Sequence, residues 1–163
     1  MEHENNAPTL AESERCYIRR FMARDIDGFT TYRNDLDWMK FQYFKGRTRE
    51  EYEEVLLKES SITAGQQLAI VRKSDDRLLG DVFLKEEDDG FWIGYTIAPA
   101  YARQGYAYET VRTLISWVQQ QGGVCVMAGV APENKASLRL LEKLGFSHVD
   151  EEDGEYIFSL WVG

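Results

Sequence analysis

The sequence is poor in the residues that disulfides, metal sites and membrane spans require. It contains two cysteines and two histidines in 163 residues. No apolar run reaches the roughly 20 residues of a transmembrane helix. We therefore expect no disulfide framework, no metal site and no membrane partner, and the scarcity of cysteine fits a reducing, cytoplasmic location. Cys16 and Cys125 are predicted to be small hydrophobic residues of the interior.

Positively charged side chains are also fewer than negatively charged ones. The chain has 19 lysines and arginines against 28 aspartates and glutamates, which gives a formal net charge of -9. Nucleic-acid binding needs a basic surface, so a nucleic-acid partner is not expected. A negative field attracts cations, which is compatible with a cationic small molecule or a basic peptide, although solubility alone also explains an acidic surface.

The order of the hydrophobic patterns indicates one mixed α/β domain. Residues 1–12 are polar and lack the features of a secretory signal, so we expect a flexible tail followed by a single domain over residues 13–163. The spacing of apolar residues predicts strands and helices, with the three strands after the second helix forming antiparallel hairpins. The strands are predicted at 15–21, 67–72, 78–85, 91–97, 124–130, 146–149 and 156–161, and the helices at 25–34, 48–60, 106–121 and 134–144. Asp25 is the predicted N-cap of the first helix, Thr48 begins a predicted capping box for the second, and residues 88–90 are a predicted hairpin turn.

The turn that leads from a strand into the longest predicted helix has the chemistry of an anion site. Pro99 should end strand pairing, and Gly105 allows a ligand to approach the backbone closely. The free amides and the dipole at the helix start favour a pyrophosphate, and Arg103 adds a full positive charge. The alternative is a tight turn in which the glycine serves backbone geometry alone.

Two segments then carry a resemblance to a known family. Residues 102–109 resemble motif A of the GNAT acetyltransferases, whose usual form is Gln/Arg-x-x-Gly-x-Gly/Ala. Gly105 and Ala107 match this form, whereas Ala102 replaces the first Gln/Arg and removes one side-chain contact to phosphate. Arg103 and Gln104 are expected to replace that contact in part.

The second segment, residues 134–146, resembles the motif B helix of the same family with its closing Leu-Gly-Phe. Gly-Tyr-Ala-x-Glu at 105–109 and Asn-x-x-Ser at 134–137 look like the RimJ/RimL-type group. The resemblance implies a GNAT fold, with a mixed, mostly antiparallel sheet of about seven strands flanked by about four helices. It also implies acetyl-CoA as cosubstrate. The implied cofactor-binding residues are Ile97, Ala98, Arg103, Gln104, Gly105, Tyr106, Ala107, Asn134 and Ser137.

The implied reaction is transfer of the acetyl group to a primary amine by direct attack on the thioester. The acceptor is a protein N-terminal amine or a small amine, and the protein is expected to be a monomer or a homodimer. Backbone amides where the strand ending at Ile97 and Ala98 splays from its neighbour should meet the thioester oxygen, and Gly94 is a candidate bulge position.

The expected proton donor of the family is missing. Many members carry a tyrosine in the last helix, at the position occupied here by Leu141, which cannot donate a proton. Ser137 is therefore the candidate catalytic residue that hydrogen-bonds the departing thiolate. The alternative is a first-turn serine bonded only to backbone.

The expected base is missing as well, because Trp92 stands where many members have a glutamate. Glu152 and Glu155, near the last hairpin, are the preferred candidates, and Asp81 and Glu151 are alternatives. Since both usual catalytic side chains are absent, a non-catalytic acyl-CoA-binding module with the same fold remains the alternative function.

The acceptor amine is expected to enter beside the aromatic segment 35–44. Aromatic faces and carboxylates together suit an ammonium ion. Asp35, Trp38 and Tyr43 are the candidate substrate-binding residues. The alternative is that these aromatic side chains form a small satellite core.

Overall fold

The computed structural model describes residues 9–88 and 90–163, which form one eight-stranded sheet and four α-helices. The strands are β1 (Thr9–Glu12), β2 (Cys16–Arg19), β3 (Gln66–Arg72), β4 (Leu78–Glu87), β5 (Gly90–Ile97), β6 (Cys125–Val130), β7 (Ser147–Glu152) and β8 (Glu155–Trp161). The helices are α1 (Ile26–Arg33), α2 (Arg49–Leu57), α3 (Tyr106–Gln120) and α4 (Lys135–Lys143). The predicted order of elements is confirmed, with β1 as an addition.

The strand β1 corrects the expected tail. Its residues pair antiparallel with β2, with Ala11 opposite Ile18 and Glu12 opposite Tyr17. Pairing with the open edge of β2 satisfies backbone groups whatever the side chains are, so polar composition did not reveal this strand. The prediction of a tail is thus wrong for residues 9–12. Residues 1–8, and Asp89 of the predicted turn at 88–90, lie outside the described residues.

Sheet order sets where the strands diverge. The order is β1-β2-β3-β4-β5-β6-β8-β7, and β5 and β6 are the parallel neighbours in this described sheet. Their connection runs through α3, as a parallel pair requires. The pair is short, because it comprises Gly90 with Cys125, Phe91 with Val126 and Trp92 with Met127. Beyond these three pairs the two strands part.

The core lies on both faces of the sheet. On one face, which we call the α3–α4 face, Leu114 and Leu141 are fully buried against strand residues such as Val126. On the other, the α1–α2 face, Phe29 and Tyr52 are fully buried, and their rings meet edge to face with centroids 5.1 Å apart.

The two predicted helix starts behave differently. Thr48 forms the expected capping box, since its hydroxyl accepts from the Glu51 amide at 3.1 Å and the Glu51 carboxylate accepts from the Thr48 amide at 2.9 Å. Asp25 does not cap α1 with its side chain. Its carboxylate instead pairs with buried Arg19 at 2.7 Å and accepts from the Met22 amide at 2.8 Å, because a buried cation needs a partner.

Candidate active site

A gap between β5 and β6 is the centre of the candidate site. β6 stays paired with β8 along its whole length, and β5 stays paired with β4, so the two parallel strands are drawn apart after Trp92. The Ala98 amide donates to the Leu79 carbonyl on the β4 side at 2.8 Å. Because successive residues of an antiparallel strand alternate in direction, the main-chain groups of Ile97 and Tyr95 point toward the gap.

Two expectations about this strand end are corrected by that geometry. The Ala98 amide is already bonded to β4 and is not free to meet a thioester oxygen. Gly94 marks no bulge against β4, because the register runs without a shift from Gly80 opposite Ile97 to Glu87 opposite Gly90. The strands part because they follow different neighbours, and no extra residue is needed.

The turn before α3 presents a row of free amides. Arg103 and Gly105 both have left-handed backbone angles, with φ of 63° and 84°. Among the described residues, no hydrogen-bond acceptor is found for the amides of residues 103–108, and the first main-chain bond of the helix runs from Glu109 to the Gly105 carbonyl at 3.0 Å. Successive amides in such a turn form a concave anion site.

Side chains of this turn divide into exposed and buried ones. Arg103 and Gln104 are exposed beside the free amides. The Tyr106 ring is buried, and its hydroxyl accepts from Arg72 at 3.3 Å. Tyr106 can therefore offer a ligand its main chain only, and Ala107 likewise has no polar side chain.

The start of α4 brings Ser137 to β5 beside the gap. Asn134 caps α4, since its side-chain oxygen accepts from the Ser137 amide at 3.3 Å. The Ser137 hydroxyl is hydrogen-bonded to the Tyr95 hydroxyl on β5. Ser137 is thus tied to a side chain at the gap, whereas Leu141 is fully buried in the core.

Tyr95 is a site residue that sequence reasoning missed. Burial raises the pKa of Tyr95 to about 12, against the opposing effect of its hydrogen bond with Ser137. The phenol therefore stays protonated at neutral pH. Its position two residues before Ile97, on the same strand face, was the signal available in the sequence.

The acidic candidates are separated by the structure. The Glu155 carboxylate lies over Gly129, with its oxygen 2.8 Å from the place a Cβ on Gly129 would take. Gly129 belongs to the part of β6 that has lost β5. Since Ala128 and Val130 face the α3–α4 core, Gly129 and the carboxylate above it face the α1–α2 side. Burial and then Asp153 raise the pKa of Glu155 above its usual value.

The other three acids are placed differently. Glu151 and Glu152 are exposed on β7, at the edge of the sheet. Asp81 is buried and accepts hydrogen bonds from Arg33 at 2.6 Å, from Gln67 at 2.6 Å and from the Tyr32 hydroxyl. The expectation that Asp81 could serve as a base is wrong, because its carboxylate is occupied by structural donors and shielded from solvent.

The aromatic segment reaches the gap through one residue. The Trp38 indole donates to the Ile97 carbonyl at 2.8 Å, and Asp35 accepts from the Trp38 amide at 3.2 Å. Tyr43 is 80% exposed. Phe44 packs against Tyr52 at 5.2 Å between centroids, so the satellite-core alternative holds for Phe44.

Residues 15–147 match the family model described as the acetyltransferase (GNAT) domain, and the chain therefore belongs to the GNAT acetyltransferase family. It is similar to the probable N-acetyltransferase YjcK of Bacillus subtilis (strain 168), with 36% identity over 101 residues that cover 59% of this chain and 54% of YjcK. The match thus spans about half the length of that relative.

Two solved structures share the fold. A GNAT-family acetyltransferase from Bacillus anthracis superposes with a TM-score of 0.83 at 21% identity, covering 93% of this chain and 98% of that one. Mycobacterium smegmatis RimJ in complex with CoA-disulfide gives a TM-score of 0.76 at 16% identity, covering 93% and 86%. The predicted GNAT fold and the RimJ/RimL-type resemblance are confirmed.

Neither a membrane-spanning helix nor a metal-binding cluster is found among the described residues. Within residues 9–88 and 90–163, no helix combines the length and apolar character of a bilayer span. The same residues hold no group of three His, Cys, Asp or Glu side chains arranged for a metal ion.

Proposed function

We propose that the chain transfers the acetyl group of acetyl-CoA to a primary amine. The observation that carries this proposal is the gap between β5 and β6 beside six free amides at the start of α3, in a member of the GNAT family. The amides suit the diphosphate of the cosubstrate, and the gap suits its pantetheine arm and acetyl group.

The cosubstrate is held mainly by main-chain groups. The amides of residues 103–107 bind the diphosphate, and the exposed Arg103 and Gln104 side chains add contacts that Ala102 does not provide. The edge of β5 at Tyr95 then offers backbone groups to the pantetheine arm, because the Ile97 carbonyl already accepts from Trp38. Asn134 positions Ser137 through the cap of α4. Because main-chain amides make most of the contacts, the site can bind the diphosphate without the usual Gln/Arg at position 102.

The transfer itself requires three proton and charge adjustments. An alkyl ammonium has a pKa of about 10, so it must lose a proton before its nitrogen attacks the thioester carbon. The carbonyl oxygen gains negative charge, which the Ile97 amide facing the gap stabilises. As the carbon–sulfur bond breaks, the Ser137 hydroxyl hydrogen-bonds the departing thiolate. The attacking nitrogen gives up its second proton and the sulfur takes up one, so that the products are a neutral amide and the free thiol of CoA.

Tyr95 assists Ser137 without giving up its own proton. Its pKa of about 12 lies above that of a thiol, so a phenolate is not formed at neutral pH. The hydroxyl instead donates to the Ser137 oxygen and leaves the serine hydrogen directed at the departing sulfur. Leu141, in the position of the usual tyrosine, takes no part.

Glu155 is the proposed base. Its carboxylate lies over the unpaired part of β6 on the α1–α2 face, opposite the face of Tyr95 and Ser137. A carboxylate with a raised pKa binds a proton more readily than an ordinary one, which suits a group that removes a proton from an ammonium ion. Glu152, exposed on the edge strand, is less suited.

The acceptor is proposed to be cationic. The net charge of -9 favours a basic peptide N-terminus or a small amine. Asp35 and Trp38 lie at the end of β5 where such an amine would enter, and Tyr43 offers an exposed ring on the same segment. Trp38 contacts the strand end directly, through its hydrogen bond to the Ile97 carbonyl.

The test of the function is thiol release from acetyl-CoA. Purified protein is mixed with acetyl-CoA and a panel of polyamines, aminoglycosides and short basic peptides with free N-termini, and free CoA and acetylated amine are measured. We expect amine-dependent release with equal amounts of both products. Tight acetyl-CoA binding without release on any amine would instead support the acyl-CoA-binding module, since Trp92 and Leu141 replace the glutamate and the tyrosine of many family members.

Replacing Gly105 should remove cofactor binding while the domain stays folded. At φ of 84° a valine costs about 1–2 kcal/mol, and relief of that strain turns the free amides away. Gly105→Val should weaken acetyl-CoA binding more than about tenfold by calorimetry, a loss of about 1.4 kcal/mol. Gly122→Val is the matched control, because Gly122 has φ of 80° at the other end of α3 with open space around it. Equal affinity in the two variants would contradict the prediction.

Removing the Ser137 hydroxyl should slow turnover more than it weakens cofactor binding. A hydrogen bond to a charged group contributes about 1.5–3 kcal/mol, so Ser137→Ala should lower kcat by about 10- to 100-fold. The KM for acetyl-CoA should stay nearly unchanged. Ser116→Ala, at an exposed serine on α3, is the control. If both variants turn over like the parent, Ser137 has no role in the mechanism.

Activity should depend on the ionisation of Glu155. Since burial raises its pKa, kcat/KM should fall with decreasing pH at a higher pH than an ordinary glutamate would give. Glu155→Gln should lower kcat/KM by about 100-fold and remove this acidic limb of the profile. Glu152→Gln should keep the limb. If Glu152→Gln loses the acidic limb of the profile and Glu155→Gln keeps it, Glu152 is the base and Glu155 is not.

A further inference from the structure

A residue distant in sequence supports the anion turn from behind. Arg15, at the start of β2, donates from Nη2 to the Gln104 carbonyl at 3.0 Å. Its guanidinium carbon lies 4.1 Å from the centre of the Tyr106 ring, and Nη2 is 3.5 Å from the place a Cβ on Gly105 would take. Arg15 therefore covers one side of the turn that lacks a cation at Ala102.

Arg15 is itself held by Glu109, in the first turn of α3. The Glu109 carboxylate accepts from Arg15 Nε at 2.7 Å and from the Arg15 amide at 2.8 Å, and it also accepts from the Ser13 hydroxyl. Burial alone would raise the pKa of Glu109, but the hydrogen bonds from Ser13 and Arg15 outweigh it and lower that pKa. The Glu109 carboxylate is thus ionised at neutral pH. The Arg15 guanidinium is held by Glu109 at Nε and by the Gln104 carbonyl at Nη2.

We propose that Arg15 and Glu109 are positioning residues that aim the amides of the turn at the diphosphate of acetyl-CoA; this inference rests on the proposed function. The carbonyl and the amide of one trans peptide point in opposite directions. Anchoring the Gln104 carbonyl on Arg15 therefore directs the Gly105 amide, which belongs to the same peptide, to the other side of the turn. Ala102 has no polar side chain to contact the diphosphate. The Arg15–Glu109 pair compensates by orienting main-chain amides toward it.

The left-handed residues explain why such an anchor is needed. Arg103 is a non-glycine residue at φ of 63°, a conformation that costs about 1–3 kcal/mol unless its surroundings hold it. The Gln104 carbonyl lies between Arg103 and Gly105. Its hydrogen bond from Arg15 holds this strained turn in its conformation.

A direct contact of Arg15 with phosphate is the competing interpretation. It fits the geometry less well, because Nε and Nη2 are committed to Glu109 and to the Gln104 carbonyl. The carbonyl oxygen on the Arg15 side of the turn would also repel an anion placed there. The two interpretations differ in what Glu109 should do. A positioning pair fails when either member is lost, whereas a phosphate ligand is set free when Glu109 is removed.

The experiment compares two acetyl donors. S-acetylpantetheine has the thioester and the pantetheine arm of acetyl-CoA but lacks the diphosphate and the nucleotide. For the parent protein, kcat/KM should be at least about 100-fold higher with acetyl-CoA than with S-acetylpantetheine, equivalent to about 2.7 kcal/mol. Arg15→Gln and Glu109→Gln should each reduce this ratio about tenfold or more, while kcat/KM for S-acetylpantetheine changes less than about twofold.

Two further variants keep the result interpretable. Lys73→Gln removes a 3.1 Å ion pair with Glu12 but keeps the Lys73 amide that donates to the Arg15 carbonyl at 2.8 Å, so it should leave the ratio unchanged. Arg15→Lys keeps the charge but has no fork to join Glu109 with Gln104, so it too should lower the ratio. It replaces Arg15→Gln if that variant fails to fold, as judged by its melting temperature.

Each other outcome has a distinct meaning. If the parent uses both donors equally well, the diphosphate site fails and the proposed function loses its support. If the parent discriminates between the donors but the Arg15 and Glu109 variants keep its ratio, the positioning role alone is wrong. If Glu109→Gln maintains or raises the ratio while Arg15→Gln lowers it, Arg15 is a phosphate ligand and the positioning proposal is overturned.

Discussion

The parting of β5 from β6 is the constraint on which the rest of the site depends. The two strands share three residue pairs and then follow β4 and β8, so an edge opens in the middle of the sheet. Backbone groups in a sheet interior are normally paired, and leaving them unpaired is costly. In the proposed function, the amide groups of the extended pantetheine arm pair with that edge. The start of α3, the hydroxyl pair of Tyr95 and Ser137, and Glu155 lie around this opening. The proposed function uses all of them for that reason.

Strand alternation divides the opening into two sides with different tasks. In the proposed function, Tyr95 and Ser137 serve the departing sulfur on the α3–α4 face, and Glu155 serves the amine on the α1–α2 face. Donor and base are kept apart by the sheet itself, so a proton can leave on one side while another group receives a hydrogen bond on the opposite side. The raised pKa values of Tyr95 and Glu155 share one first cause, which is burial.

A buried ion pair fixes the segment that covers the α1–α2 side. Arg33 joins the Asp81 carboxylate at 2.6 Å to the Phe44 carbonyl at 3.0 Å, and so links β4 with the aromatic segment. Both side chains are almost fully buried, and removing one member of such a pair is strongly destabilising. The Asp81 carboxylate that looked available in the sequence is therefore a structural anchor, and the base proposed above comes from the edge hairpin instead.

Local patterns in the sequence determined the order of elements, the capping box at Thr48 and the turn at Gly105, because these features depend on spacing and turn chemistry within a few residues. The resemblance to the family, and not a local pattern, indicated that the usual side chains are missing at Trp92 and Leu141. Only the tertiary structure decided which distant residues meet. Tyr95 and Ser137 are 42 positions apart and Arg15 and Glu109 are 94, and such contacts depend on sheet register and helix docking, which local periodicity does not encode.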